Sequence, residues 1–125
     1  MITDMARKVL IVDDSAAVRQ LVGLALKGAG YEVVEAIHGR DALEKLGKGR
    51  VDMMLTDLNM PEMDGIEFIK AVRSTTESKF TPIVMLTTEA QEAMKQEGKM
   101  AGASGWIVKP FKSSELLGIV KKFIK

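Results

Sequence analysis

At 125 residues, the chain has the length of one ordinary domain and enough of it to bury a real core. Apolar residues make up 46% and charged residues 28%, and the net charge of +1 gives no bulk attraction to nucleic acid or membrane. The absence of cysteine excludes disulfides, thiol catalysis and thiolate metal sites.

The opening residues, MITDMARK, lack the apolar core of a signal peptide, and no run approaches membrane-spanning length, so a cytoplasmic protein is expected. Residues 1–7 read as a loose lead-in. Lys8–Val12 is a first buried strand, ending in Asp13-Asp14, and Ser15 is placed to cap the helix that follows. Val18, Leu21, Val22, Ala25, Leu26 and Ala29 recur at helical period and form its expected buried stripe, with Gly28 and Gly30 at its end. Glu32–Ala36 is a second strand. Gly39–Leu46 is a short helix with Ala42, Leu43 and Leu46 inward, stopped by Gly47 and Gly49.

The apolar run Met53-Met54-Leu55 is the central strand and carries Asp57 at its C-terminal tip. Asp64 and Glu67 are spaced as a capping box for a third helix, with Ile66, Ile69 and Val72 toward the core. After a polar loop, Ser74–Thr81, Pro82 introduces a fourth strand, Ile83–Leu86, ending in Thr87-Thr88. Glu89–Ala101 reads as a helix with charge nearly all round, which packs lightly and leaves surface for a partner. Trp106–Val108 is a fifth strand, followed by Lys109-Pro110. Ser113 is expected to cap the last helix, with Leu116, Leu117, Val120, Phe123 and Ile124 inward.

Strict alternation of strand and helix predicts an α/β fold, a doubly wound five-stranded parallel sheet with right-handed crossovers and five helices. One domain accounts for residues 1–125, with its core in residues 8–124. Asp13, Asp14, Asp57, Thr87 and Lys109 all fall at strand ends, which such a sheet brings to one edge, where ligands bind.

Four groups of residues then carry a resemblance: Asp13-Asp14, the run from Asp57 through Asn59-Met60-Pro61 to Met63-Asp64-Gly65, Thr87-Thr88-Glu89, and Lys109-Pro110-Phe111. Together they resemble the receiver domain of bacterial response regulators, over almost the whole chain from Lys8 to Phe123. Within that family the segment from Gly102 to Phe111 is most similar to the stand-alone chemotaxis regulators. The strand order 2-1-3-4-5, flavodoxin-like, is the family's own and is implied by the resemblance together with the alternation.

Clustered carboxylates repel, so either one is protonated or a cation sits between them, and a hard divalent ion with oxygen ligands suits Mg²⁺. The resemblance implies that Asp14, Asp57 and the backbone carbonyl of Asn59 ligate Mg²⁺ directly, with Asp13 holding a bound water. It makes Asp57 the nucleophile that accepts a phosphoryl group from a sensor histidine kinase. A carboxylate is already ionised at neutral pH, so this needs no general base. Lys109 supplies a charge to a phosphoryl oxygen and Thr87 a hydrogen bond. Asn59 and Glu89 border the attacking water of dephosphorylation, with Thr88 between Thr87 and Glu89. The protein is then a signalling phosphoacceptor with self-catalysed transfer, not a conventional enzyme.

Output is expected through the fourth helix, fifth strand and last helix. The family's mobile aromatic on strand five is commonly Tyr or Phe; here it is Trp106. Lys112, Lys121, Lys122 and Lys125 make that end basic. The expected partner is a flagellar motor switch or another protein target, with neither nucleic acid nor membrane bound and the chain a monomer. The alternative within the family is a stand-alone phosphorelay or cell-cycle receiver.

Bland readings compete at single residues. Asp13 and Asp14 are also ordinary N-cap residues, Lys109 an ordinary solvated lysine, Thr87 a local hydrogen-bonder, and Trp106 a cover for the sheet edge. Their joint occurrence favours the site. Asp64 is read as a cap only, His38 as a surface residue, Met53 and Met54 as core, and Met60 and Met63 as lining the loop over the site. Two rivals lie outside the family. A small aspartate-nucleophile phosphatase of the haloacid dehalogenase type needs a carboxylate where Asn59 stands. A flavodoxin-like binding module needs a phosphate-cradling loop where Asp13-Asp14 repel phosphate.

Overall fold

Five short strands form the middle of the structure, a computed structural model that describes residues 6–124. The lead-in over residues 1–5 and the basic Lys125 lie outside the described residues. The strands are β1 (Lys8–Val12), β2 (Glu32–Ala36), β3 (Met53–Thr56), β4 (Ile83–Thr87) and β5 (Gly105–Val108), all parallel in the order β2-β1-β3-β4-β5. Parallel neighbours need crossovers, and these are α1 (Ala16–Gly28), α2 (Gly39–Leu46), α3 (Gly65–Arg73) and α4 (Glu92–Ala101), with α5 (Ser113–Phe123) closing the order.

Alternation within the strands divides the core in two. Leu10, Val12, Met54, Ile83 and Met85 point to the face covered by α2, α3 and part of α4. Val9, Ile11, Met53, Leu55, Val84 and Leu86 point to the face covered by α1 and α5. β1, β3 and β4 are therefore apolar at successive positions, since both faces are buried. Each fully buried Leu, Ile or Met contributes about 1.5–3 kcal/mol by leaving water.

Most helix faces follow their sequence period, with instructive departures. Val22 and Leu26 are buried in α1 as expected, but Leu21 is 62% exposed and Ala29 is exposed. The helix rests on the sheet through Gly23, where an added Cβ would lie 3.8 Å from Val33 Cγ1 and 3.9 Å from Ile11 Cδ1. At about 100° per residue, a contact face centred on Val22, Gly23 and Leu26 turns Leu21 outward. In α3, Phe68 joins Ile66, Ile69 and Val72 in the core.

The fourth helix starts at Glu92, three residues later than its composition suggests. The Glu89 carboxylate accepts from Gln91 N–H at 3.0 Å, and Glu89 N–H donates to Thr87 Oγ1 at 3.3 Å. These local side-chain bonds hold the segment as a loop, in competition with helix. Ser113 does not cap α5 but is its first helical residue. The preceding Lys112 is the cap position, its N–H donating to the Glu115 carboxylate at 2.8 Å. Ser15, by contrast, caps α1 through Val18 N–H at 3.2 Å, and Asp64 and Glu67 make the reciprocal box on α3.

Candidate functional site

Register builds the site. β1 and β3 pair with Val12 opposite Thr56, so the next residues of each chain, Asp13 and Asp57, lie side by side at the C-terminal edge. Asp57 N–H donates to Val12 O at 2.9 Å and Asp13 N–H to Ala36 O at 3.1 Å, fixing both backbones to neighbouring strands. β4 ends at Thr87, opposite Val108, and Lys109 follows at the next position with its N–H on Thr87 O at 2.8 Å. From there the lysine reaches back across β4. Its Nζ lies 3.0 Å from Asp13 Oδ2 and 3.7 Å from Asp57 Oδ2.

Asp13, Asp14 and Asp57 present carboxylate oxygens that all lie within 4.8 Å of one another. Asp13 is buried, with Oδ1 accepting from Ser15 N–H at 2.8 Å, while Asp14 is exposed and its carboxylate has no partner among the described residues. Three negative groups thus face one ammonium. Such a set of hard oxygens with an unspent acceptor fits a small divalent cation of the Mg²⁺ type.

The surroundings of Asp57 perturb its carboxyl. Burial raises its carboxyl above the ordinary range; Lys109 opposes that, Asp13 adds to it, and Leu58 N–H and the Thr87 hydroxyl favour the ionised form. Leu58 N–H donates to Asp57 Oδ1 at 2.8 Å. Thr87 is fully buried, so its hydroxyl is held at the cluster rather than in water.

Other residues expected near the site separate into layers. Asn59 and Thr88 are exposed, and Glu89 is half-buried with its carboxylate turned to Gln91. Met60 and Met63 pack against the core, and Met63 lies over Gly39, where a Cβ would meet its sulfur at 2.8 Å. His38 is not merely a surface residue. It caps α2, Nδ1 accepting from Asp41 N–H at 3.1 Å. Trp106 is half-buried, its ring over Gly98 of α4 and its N–H donating to Glu89 O at 2.8 Å.

Two residues escaped the sequence reading. Arg19 donates through Nη1 to Asp13 O at 2.7 Å and through Nε to Glu35 Oε1 at 3.1 Å, so it braces the acidic turn from α1. Its only sequence signal was an arginine one turn past a cap. Gly65 sits where a Cβ would fall 2.4 Å from Asp57 O, so only glycine lets α3 start this close to the end of β3. Asp64 was visible as a cap, but the close approach at Gly65 was not.

The family model for the response regulator receiver domain matches residues 9–121. The chain is 44% identical over 106 residues to the chemotaxis protein CheY1 of Helicobacter pylori, covering 83% of this chain and 86% of that protein. It is 40% identical over 118 residues to the transcriptional regulatory protein ResD of Bacillus subtilis, covering 94% of this chain but 48% of ResD. The chain therefore spans about half the length of that relative. Among solved structures, the chemotaxis response regulator CheY4 of Vibrio cholerae superposes with a TM-score of 0.92 at 52% identity, over 96% of this chain and 100% of that one.

Proposed function

The chain belongs to the response regulator receiver family, and from that premise we propose that it is a phosphorylation switch whose acceptor is Asp57. The observation that carries the reading is the convergence of Asp13, Asp14, Asp57 and Lys109 at one sheet edge. The donor is a phosphohistidine on a sensor histidine kinase. An Asp57 carboxylate oxygen attacks phosphorus as the P–N bond breaks, giving an acyl phosphate on Asp57 and returning the electron pair to the donor's imidazole.

Asp14, Asp57 and the Asn59 carbonyl would hold Mg²⁺, with Asp13 acting through a water. Bound there, the ion would supply positive charge to the transferred phosphoryl oxygens. The chain's own work is positioning. Lys109, already tethered to Asp13, places an ammonium beside the incoming group. The buried Thr87 hydroxyl offers a hydrogen bond to it. Asn59, Thr88 and Glu89 border the path of the water that later hydrolyses the acyl phosphate. Asp57 needs no base, because a carboxylate is already ionised at neutral pH.

Similarity to the CheY proteins supports a chemotaxis role, in the cytoplasm, as a monomer, with a flagellar motor switch as target. The face that changes is formed by α4, β5 and α5, where Trp106 joins the loop after Thr87 to α4. Affinity capture with and without a beryllium fluoride phosphoryl mimic plus Mg²⁺ tests this. Capture of a flagellar switch component only with the mimic is expected. Capture of a histidine phosphotransfer protein alone, independent of the mimic, would favour a phosphorelay carrier instead.

A further inference from the structure

The edge opposite Asp57 carries a groove that the switch does not use. α2 has 8 residues and spans about 12 Å, whereas the strands beneath it, of 5 residues each, run about 16 Å. The helix therefore stops short of the N-terminal ends of β1 and β2. What remains is a cavity of about 320 Å³ floored by Leu10, Val34, Leu46 and Val51. It runs on, through Leu46, Lys48 and Gly49, into a cavity of about 410 Å³ between α2 and the loop after α3. Arg50 and Glu77 join that one to a third, of about 310 Å³, bordered by Phe80.

Charge along this groove is one-sided. The side chains of Lys8, Lys48 and Arg50 have no partner among the described residues, whereas Lys45 is already held by Asp41 at 3.3 Å. The nearby Asp52 is engaged by Lys8 N–H at 2.8 Å and Arg7 at 3.8 Å. Only at the far end does an unpaired acid, Glu77, stand beside Phe80, which is 88% exposed. A compact ligand would fill one cavity of the row; an extended chain can engage all of them and present every second side chain to the apolar floor.

We propose that this groove is a second docking site, taking an extended segment of a partner protein with alternating acidic and apolar residues and a basic residue at its end. The carboxylates meet Lys8, Lys48 and Arg50, the apolar side chains enter the cavities, and the basic residue meets Glu77. The site lies at the opposite sheet edge from Asp57, so docking is independent of phosphorylation and of the acceptor assignment.

The probe is the fluorescein-labelled peptide Glu-Leu-Glu-Leu-Asp-Leu-Gly-Lys, titrated against the full chain by anisotropy and mapped by amide chemical shifts. Saturable binding is expected, with shifts confined to Lys8 to Leu10, Val34, Leu46 to Val51 and Thr76 to Phe80. Lys48→Glu combined with Arg50→Glu, both on the surface, should weaken it about tenfold. Replacing the peptide leucines with serine should weaken it at least as much. Beryllium fluoride with Mg²⁺ should leave the affinity unchanged. No saturation at millimolar peptide, shifts centred on α4 or α5, or equal binding by the serine peptide or the charge-reversed variant would overturn the proposal.

Discussion

Asp57 is held where its own charge is unwelcome. Its pKa is raised above the ordinary 3.8, chiefly by burial, so the folded protein binds that proton more tightly than the unfolded chain. The associated stability is present below 3.8 and is lost as pH rises through the folded value. Asp57→Asn cannot ionise and escapes that loss. In metal-free buffer the variant should melt a few degrees higher than the parent at neutral pH, with the gap closing on acidification below 3.8. Added Mg²⁺ should close it from the other side, by stabilising only the parent. A gap that does not vary with pH would place the cause outside this carboxyl. Thr88→Ala should modestly accelerate loss of the phosphoryl group, since Thr88 is exposed next to Thr87; an unchanged decay rate would show that this methyl does not limit access.

The same scale refines the view of Trp106. From sequence, Trp106 stands at the position of the family's mobile aromatic, with a cover for the sheet edge as the competing reading. In the structure the indole N–H donates to Glu89 O, and the ring covers Gly98. Breaking the bond costs roughly 1 kcal/mol, so the indole acts as a strut between β5 and α4. Emission of the unphosphorylated protein should already be blue-shifted and protected from iodide. Gly98→Ala would push a Cβ to 2.7 Å from the ring and should red-shift it. A fully quenchable parent spectrum would contradict the strut.

At the scale of elements, one side chain holds two loops together. Arg73, the last residue of α3, donates to Gly102 O at 2.8 Å, Thr81 O at 2.7 Å and Ser78 O at 3.0 Å. Burial lowers its pKa, and the carbonyls that surround it take the place of a counter-ion. Arg73→Met should leave these carbonyls unpaired and cost about 2 kcal/mol, read as a lower midpoint in urea with unchanged slope. Strand positions, the caps at Ser15 and Asp64, and most helix stripes were legible because each rests on local period or spacing. Leu21, the start of α4 and the role of Ser113 were not. Each depends on a contact that has no local signature, such as Gly23 on the sheet, or on a side chain that outbids the helix for a backbone group, as Glu89 does.

For the whole molecule, parallel register converts separate strand ends into one site. Asp13 and Asp57 are adjacent because Val12 pairs with Thr56, and Lys109 arrives because Val108 pairs with Thr87. The acid cluster was readable from residue types at strand ends; its bracing by Arg19 and the approach allowed by Gly65 were not, because both join residues through space. The central claim is that this edge accepts a phosphoryl group on Asp57. Intact-mass measurement after treatment with acetyl phosphate tests it most directly. With Mg²⁺ the parent should gain one phosphoryl mass, lose it on chelation before treatment, and show none in Asp57→Asn. Undiminished labelling of that variant, or labelling of the parent without divalent metal, would contradict the account.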